Sequence, residues 1–314
     1  MIMSTPIRIG TRESRLAIWQ ATQVQKQLLD IGHHSELVYI KSEGDLDLTT
    51  PLYELGVQGI FTRNLDAALL NNGIDIAVHS MKDVPTQLPA GLIQAAVLKR
   101  GPVRDLLVVK HNASFLDDVN YIANVATSSI RRRAQWLHRY PKHKMHNLRG
   151  NMQTRLEKLY RENWDAAIFA QAGLERIDLR PENSLELEWM LPAPAQGAIM
   201  VAARENDTAV LAACQKINDR ETAICTYIER SFLRGLLGGC STPVSAYARI
   251  IGNKVHFQGN IFSPDGTRNV EIEKTILVTD SEDLGKKCAD EVLERGGREI
   301  NAMIREQMKK SPTA

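Results

Sequence analysis

The 314-residue sequence contains no apolar run approaching the length of a membrane span. Its first residues, MetIleMetSerThrProIleArgIleGly, lack the basic, apolar and small-residue succession of a secretion signal and run directly into a strand pattern. Together these absences predict a cytoplasmic protein that does not bind membranes. The chain also lacks a charge of one sign. Its formal net charge is +2, so any basic character that matters is local. Cysteine is scarce: there are four, and no two are spaced as a redox pair or zinc knuckle. The eight histidines form no zinc-binding helix motif or paired Cys/His pattern, which predicts no metal centre. No Walker loop is present, and GlyThrArgGluSer at 10–14 is not a dinucleotide fingerprint.

What is present is ordinary for a globular protein of two or three domains, with 43 % hydrophobic and 24 % charged residues. Strand and helix patterns alternate. ProIleArgIleGlyThr at 6–11 predicts a strand, 14–31 a helix, Leu37–Ile40 a strand, and 59–71 a helix ended by AsnAsnGly. Between them, 44–58 reads as a loop longer than usual, of the kind that forms lids. Strands follow at 74–80, 92–98, 105–109 and 124–128, then at 165–169, and 191–201 reads as a proline-rich hinge followed by a strand. Helices at 207–218 and 219–235, a β-meander from Val244 to Val278 and a long helix over 281–308 complete the expectation.

Three cysteines fall on apolar helical stripes: Cys214 with Val210 and Ile217, Cys225 with Ile228 and Phe232, and Cys288 with Leu284 and Val292. Cys240 does not. It follows Gly238 and Gly239 and precedes Pro243, which predicts a sharp loop between helix and strand. That loop holds either a small gap-filling residue or a functional thiol.

Two kinds of strand end stand out. After the apolar strand at 74–80, His79, Ser80, Lys82 and Asp83 crowd the carboxyl end, and Pro85 stops the strand. An ionised Asp83 there either pairs with Lys82 at the surface or holds a cationic or N–H-bearing ligand. The second kind carries arginine. Arg12, Arg131, Arg132, Arg149, Arg155 and Arg176 all lie near strand-to-helix turns, among hydroxyls such as Ser14, Thr127 and Ser129. Ser14 either caps its helix or joins an anion site. Cations in the first turn of a helix oppose its dipole by about 0.3–1 kcal/mol each, so Arg131, Arg132 and Arg133 call for a compensating anion or form an exposed basic face. Arginine's planar fork suits carboxylate or phosphate, and six such positions in different units point to a polyanionic ligand rather than DNA on one recognition helix.

These stretches resemble a known family. ThrArgGluSerArgLeuAla, AspIleAlaValHisSerMetLysAspValPro, AlaThrSerSerIleArgArg, LeuArgGlyAsn with ThrArgLeu, AlaGlyLeu with Arg176, GlnGlyAla and GlyGlyCys occur in the order and spacing of porphobilinogen deaminases, from about residue 5 to the end. The resemblance implies an α/β protein of two periplasmic-binding-protein-like lobes with a cleft, plus a small α+β C-terminal domain. The boundaries expected are 1–99 with 197–217, 100–196, and 218–314. It implies a transferase of haem and tetrapyrrole biosynthesis, also called hydroxymethylbilane synthase. Such an enzyme condenses four porphobilinogen units head to tail, releasing ammonia each time, on a dipyrromethane cofactor held through a thioether, and hydrolysis frees hydroxymethylbilane.

Carried over position by position, the resemblance makes Cys240 the cofactor anchor and Asp83 the residue that orients the pyrrole nitrogens. Arg12, Arg149 and Arg155 match residues that hold substrate carboxylates and assist catalysis. Ser14, Lys82, Thr127, Ser129, Arg131, Arg132 and Arg176 match cofactor contacts. Phe61, Gln20 and Gln196 match substrate-side positions. Porphobilinogen carries an acetate and a propionate, which suits the arginine-rich turns. The chain departs from the family pattern at Glu54 and Gln58, where lysines are common, at ProAlaGln in the hinge, where ValGlyGln is common, and at Ala202 and Ala203, where an acid often occurs. The competing readings are a two-lobed anion-binding protein without catalysis and a paralogue that binds tetrapyrroles without making them. A monomer is expected, since three domains can bury their own cores.

Overall fold

The structure, a computed structural model, describes residues 5–41, 62–236 and 242–310, the side chains of 308–310 excepted. The expected lid at 44–58 with Glu54 and Gln58, the Phe61 ring, and Cys240 with its two glycines lie outside the described residues. The chain divides into two compact units. Unit 1 takes the described residues up to Gly101 together with Ala195–Thr226, and unit 2 takes Pro102–Pro194 and the described residues from Tyr227 onward.

The chain enters unit 1 as β1 (Ile7–Thr11), α1 (Arg15–Asp30), β2 (Ser35–Tyr39), α2 (Arg63–Leu70), β3 (Ile76–Ser80) and β4 (Leu92–Val97). The apolar stripe of α1 buries Ala17, Ala21, Val24 and Leu28 with Gln20 among them, while Leu16 stays only half-buried. Unit 2 opens with β5 (Asp105–Val109), β6 (Asn124–Ala126), α3 (Ile130–Arg139), β7 (Lys144–His146), α4 (Met152–Arg161), β8 (Ala166–Ala170), α5 (Gln171–Glu175) and β9 (Ser184–Glu186). The chain returns to unit 1 through β10 (Ile199–Arg204) and α6 (Thr208–Lys216). It then crosses on α7 (Arg220–Gly235) to β11 (Val244–Ile251), β12 (Lys254–Phe262) and β13 (Asn269–Leu277), and ends on α8 (Leu284–Val292) and α9 (Arg298–Lys310).

Each unit holds a five-stranded sheet of the same plan. In unit 1 the order is β2-β1-β3-β10-β4, and in unit 2 it is β7-β6-β8-β5-β9. In both, the first three strands are parallel and the fourth is antiparallel. The sheets are therefore mixed rather than wholly parallel. The strand that closes each sheet, β10 or β5, follows a crossing between units and enters from the opposite end. β3 and β8 are apolar along nearly their whole length because helices cover both faces of the sheet. The third sheet is an antiparallel meander, β11-β12-β13, within unit 2.

The long C-terminal helix expected over 281–308 is broken. Between α8 and α9 the chain kinks within Leu293–Gly297, where Arg295 and Gly296 leave helical backbone angles and Gly296 takes φ 111°. That region is open to glycine and closed to the side-chain-bearing residues that would continue a helix. The strand expected over 124–128 stops at Ala126, leaving Thr127 and Ser128 in the turn. AlaGlyLeuGlu at 172–175 lies inside the short helix α5. Two glycine-bounded crossings run side by side in unit 1, where Gly101 N–H donates to the Gly197 carbonyl at 3.0 Å.

Candidate functional site

In unit 1 the candidate residues gather where β1 and β3 end. Ser14 caps α1, its hydroxyl accepting from the Ala17 N–H at 3.3 Å. Arg12 lies half-buried in the turn just before it. The buried Gln20 amide, on the inner face of α1, donates to Ser80 Oγ at 2.8 Å. Ser80 ends β3, and Met81–Asp83 then form one 3-10 turn. Lys82 Nζ approaches Gln196 Oε1 at 3.4 Å, and the buried Gln196 receives Arg100 Nε on its carbonyl at 2.9 Å. Asp83, on the same turn, is half-buried, and no hydrogen bond or ion pair among the described residues engages its carboxylate. The Lys82–Asp83 surface pair is thus not formed. Arg12, Ser14, Gln20, Lys82, Asp83 and Gln196 stand at one end of one sheet.

His79, one strand position before Ser80, was expected at this strand end but given no role. Its ring is buried and Nε2 has no hydrogen-bond partner. Burial, with a smaller contribution from the Arg12 charge, lowers its pKa to about 4, so the ring is neutral near pH 7.

In unit 2 the corresponding end belongs to β6, β7 and β8. Thr127 is buried and its Oγ1 accepts from Ser129 N–H at 3.2 Å. Ser129 caps α3, accepting from Arg132 N–H at 3.5 Å. Ser128 Oγ accepts from Leu148 N–H at 2.8 Å, which ties this turn to the one carrying Arg149. Arg149 is buried, and Arg155 Nε donates to the Gly150 carbonyl at 2.7 Å. Arg176 follows α5, and burial lowers its pKa to about 10.

Arg131 and Arg132 correct the electrostatic expectation. The anion that offsets them is Asp105, the first residue of β5. Its carboxylate is fully buried and accepts from Arg131 Nη2 at 2.7 Å on one oxygen, and from Arg132 Nε at 3.1 Å and Nη2 at 2.7 Å on the other. Arg131 Nη1 also donates to the Leu191 carbonyl at 2.8 Å and Arg132 Nη1 to that of Ile168 at 3.0 Å. The helix dipole thus needs no external ligand to explain these arginines, and only Arg133 of the three is exposed. The balance still favours an anion, since two cations share one carboxylate and leave one positive charge in excess. Arg131 Nε is buried without a hydrogen-bond partner. Sequence reasoning missed Asp105, although a carboxylate opening the otherwise apolar AspLeuLeuValVal was a signal.

The three helical cysteines are buried as expected. Burial pushes the thiols of Cys214 and Cys288 up to about 12 and about 11, which keeps them protonated and inert. Among the described residues no group of three His, Cys, Asp or Glu side chains could hold a metal ion, and no helix is long and apolar enough to cross a membrane.

Comparison with known proteins adds to this geometry. Residues 7–212 match the family model "Porphobilinogen deaminase, dipyromethane cofactor binding domain", and residues 223–294 match "Porphobilinogen deaminase, C-terminal domain". The chain belongs to the porphobilinogen deaminase family. It is 40 % identical over 305 residues to the porphobilinogen deaminase of Syntrophotalea carbinolica, covering 96 % of each chain. It is 42 % identical over 305 residues to the chloroplastic porphobilinogen deaminase of Pisum sativum, covering 93 % of this chain and 82 % of that protein. Among solved structures it is similar to a probable amino-acid ABC transporter extracellular-binding protein of Bacillus subtilis, with 12 % identity, a TM-score of 0.42, and coverage of 68 % and 90 %. Porphobilinogen deaminases are transferases, and the first of the two matched models is the family's dipyromethane cofactor domain.

Proposed function

We propose that the chain condenses porphobilinogen head to tail with release of ammonia, on a dipyrromethane anchored by Cys240, and frees hydroxymethylbilane by hydrolysis. The observation that carries the reading is the Asp83 carboxylate, half-buried at the end of β3 and engaged by no other described side chain. A reaction that expels an amine from a pyrrole develops positive charge on the ring, and a fixed carboxylate stabilises that charge and accepts from the pyrrole N–H. Asp83 takes this role. Arg12, Arg149 and Arg155 hold the acetate and propionate of the incoming unit, with Gln20, Phe61 and Gln196 beside it.

The cofactor, when bound, would supply the pyrrole carbon to which the first unit is joined, and the terminal ring of the growing chain would supply it for each later one. The residues present fit such a polycarboxylate: the Arg131–Arg132–Asp105 cluster has one positive charge in excess and a buried, unsatisfied Arg131 Nε. Arg131, Arg132, Arg176, Lys82, Ser14, Thr127 and Ser129 would hold its carboxylates. The three-domain division at 1–99 with 197–217, 100–196 and 218–314 is the functional one. The enzyme works as a cytoplasmic monomer on a small-molecule substrate, without nucleic acid or membrane.

The test is an intact mass. The purified protein should exceed its sequence mass by one dipyrromethane, and Cys240→Ser should lack the increment. A wild-type enzyme that turns over without the added mass would remove the anchor.

A further inference from the structure

Helix α3 carries more than the arginine pair. One turn beyond Arg131, the buried Gln135 amide spends both its donors and its acceptor. Nε2 donates to the Leu191 carbonyl at 3.0 Å and to Ser245 Oγ at 2.9 Å, while Oε1 accepts from Leu191 N–H at 2.9 Å. The Leu191 carbonyl is the same acceptor that Arg131 Nη1 uses. Gln135 therefore grips Leu191 from both sides and holds the oxygen against which Arg131 is set. Its remaining donor reaches β11, where Ser245 is fully buried. The adjoining backbone repeats the attachment, with Ala246 N–H donating to the Pro192 carbonyl at 3.3 Å. A turn further along α3, His138 Nδ1 meets the Gly266 carbonyl at 2.8 Å. Gly266 has φ 76°, and a Cβ there would collide with the α3 backbone, so the glycine permits this approach.

We propose that Gln135 is a positioning residue for the reaction, fixing Arg131 and the start of β11 to one backbone segment around Leu191. This rests on the reading above, in which Arg131 contacts the cofactor and Cys240, five residues before Ser245 in sequence, carries it. The amide acts through Arg131 and touches neither substrate nor reacting atoms. No aliphatic side chain can replace it, because two backbone groups and one hydroxyl would lose their partners together.

Four variants test the proposal: Gln135→Met, Ser245→Ala, Arg131→Met, and the Gln135→Met/Arg131→Met double variant. For each, the fraction of chains carrying the dipyrromethane mass is measured, with kcat and KM for porphobilinogen per loaded chain, and Tm. Gln135→Met should lower the loaded fraction and reduce kcat about tenfold with KM within about twofold, since a small misplacement costs rate more than binding. In the Arg131→Met background the same change should cost no further kcat, because the two residues act as one unit. A glutamine that only stabilises the fold would lower Tm, leave loading and kcat at wild-type values, and add independently to Arg131→Met. That result overturns the proposal. If Gln135→Met does not fold, Ser245→Ala decides, since it removes one acceptor and keeps both Leu191 bonds. Loss of loading or kcat supports the link to β11, and wild-type values overturn it. The two readings fail separately. An unmodified wild-type chain sinks the Cys240 anchor while the kcat cycle still reports on Gln135, and a modified wild type with additive variants sinks only the role of Gln135.

Discussion

The β1–α1 and β6–α3 turns have one local plan and handle charge in opposite ways. Each passes from a buried strand through a hydroxyl-rich turn into a helix capped by serine, Ser14 in one and Ser129 in the other. Each unit also carries a carboxylate at that end of its own sheet. In unit 2 the carboxylate is Asp105, wholly buried and shared by Arg131 and Arg132. In unit 1 it is Asp83, half-buried and unengaged among the described residues. The same functional group is thus spent on structure in one unit and left available in the other. A fully buried carboxylate held by two arginines is closed to a substrate, and a half-exposed one with no described partner is open to a ligand or to water.

The largest effect should come from breaking the structural member of this pair. Asp105→Asn leaves two buried guanidinium groups without a counter-charge, and removing one partner of a buried pair costs about 3–5 kcal/mol. Urea unfolding of the variant should show that loss, and a change under about 1 kcal/mol would mean that the arginines are neutralised by something else. Asp83→Asn should do the reverse. Turnover falls about 10²–10³-fold, the cost typical of removing one preorganised electrostatic contact, while the unfolding free energy from urea curves stays within about 0.5 kcal/mol of wild type. Should Asp83→Asn destabilise the chain as much as Asp105→Asn does, the contrast between the units collapses.

How much of this was legible beforehand depended on whether the signal was local. Strand ends, caps and cysteine stripes are set by residues within a turn or two of each other. Cys214 and the apolar β3 accordingly fell where periodicity put them, and Ser14 caps its helix, one of the two readings its position allowed. The arginine pair illustrates the limit. Three cations at a helix start pose a local question, and the answer lies on β5, well upstream in sequence and reached only through the sheet. Pattern reasoning supplied a ligand where the fold supplies Asp105. The antiparallel β10 and β5 were hidden for the same reason, because strand direction in a sheet is a property of the crossing and not of the strand's own residues. The break at Gly296 was readable from GlyGly at 296–297, but the apolar stripe continuing on both sides masked it. For the proposed catalytic residues, the roles come from the family resemblance, because spacing alone left them open.

In unit 1 the Arg12 charge bears on a buried imidazole, that of His79. Its folded pKa is about 4 against an ordinary 6.5, depressed first by burial and then by Arg12. A base with a depressed folded pKa stays neutral in the folded state while the unfolded chain takes up a proton. Stability from this group is therefore intact above pH 6.5 and is lost as pH falls from 6.5 toward 4. Between about pH 7.5 and 5, wild type should lose about 2 kcal/mol more than His79→Leu, whose apolar side chain cannot titrate. Urea curves at the two pH values measure the difference. Equal losses would show that the ring can accept its proton in place, and unit 1 would then tolerate a second cation beside Arg12 as unit 2 tolerates its pair.

The smallest effect concerns how unit 1 delivers Gln196 to Lys82. Ala195 precedes Gln196 with φ 61°, a left-handed conformation that costs a side-chain-bearing residue about 1–2 kcal/mol. Glycine would remove that strain, and the ValGlyGln common in the family has glycine at this position. Two terms oppose the gain. Glycine loses about 0.5–1 kcal/mol more conformational entropy on folding, and the fully buried Ala195 methyl contributes about 0.8 kcal/mol of apolar burial. The three terms nearly cancel, so Ala195→Gly should leave stability within about 0.5 kcal/mol of wild type. Ala202, equally buried but on β10 in extended backbone, has no strain to relieve. Ala202→Gly should therefore cost about 1–2 kcal/mol, the sum of the two opposing terms alone. A matching cost at Ala195 would mean that its turn carries no strain, and that the methyl, rather than the backbone, keeps alanine in the hinge.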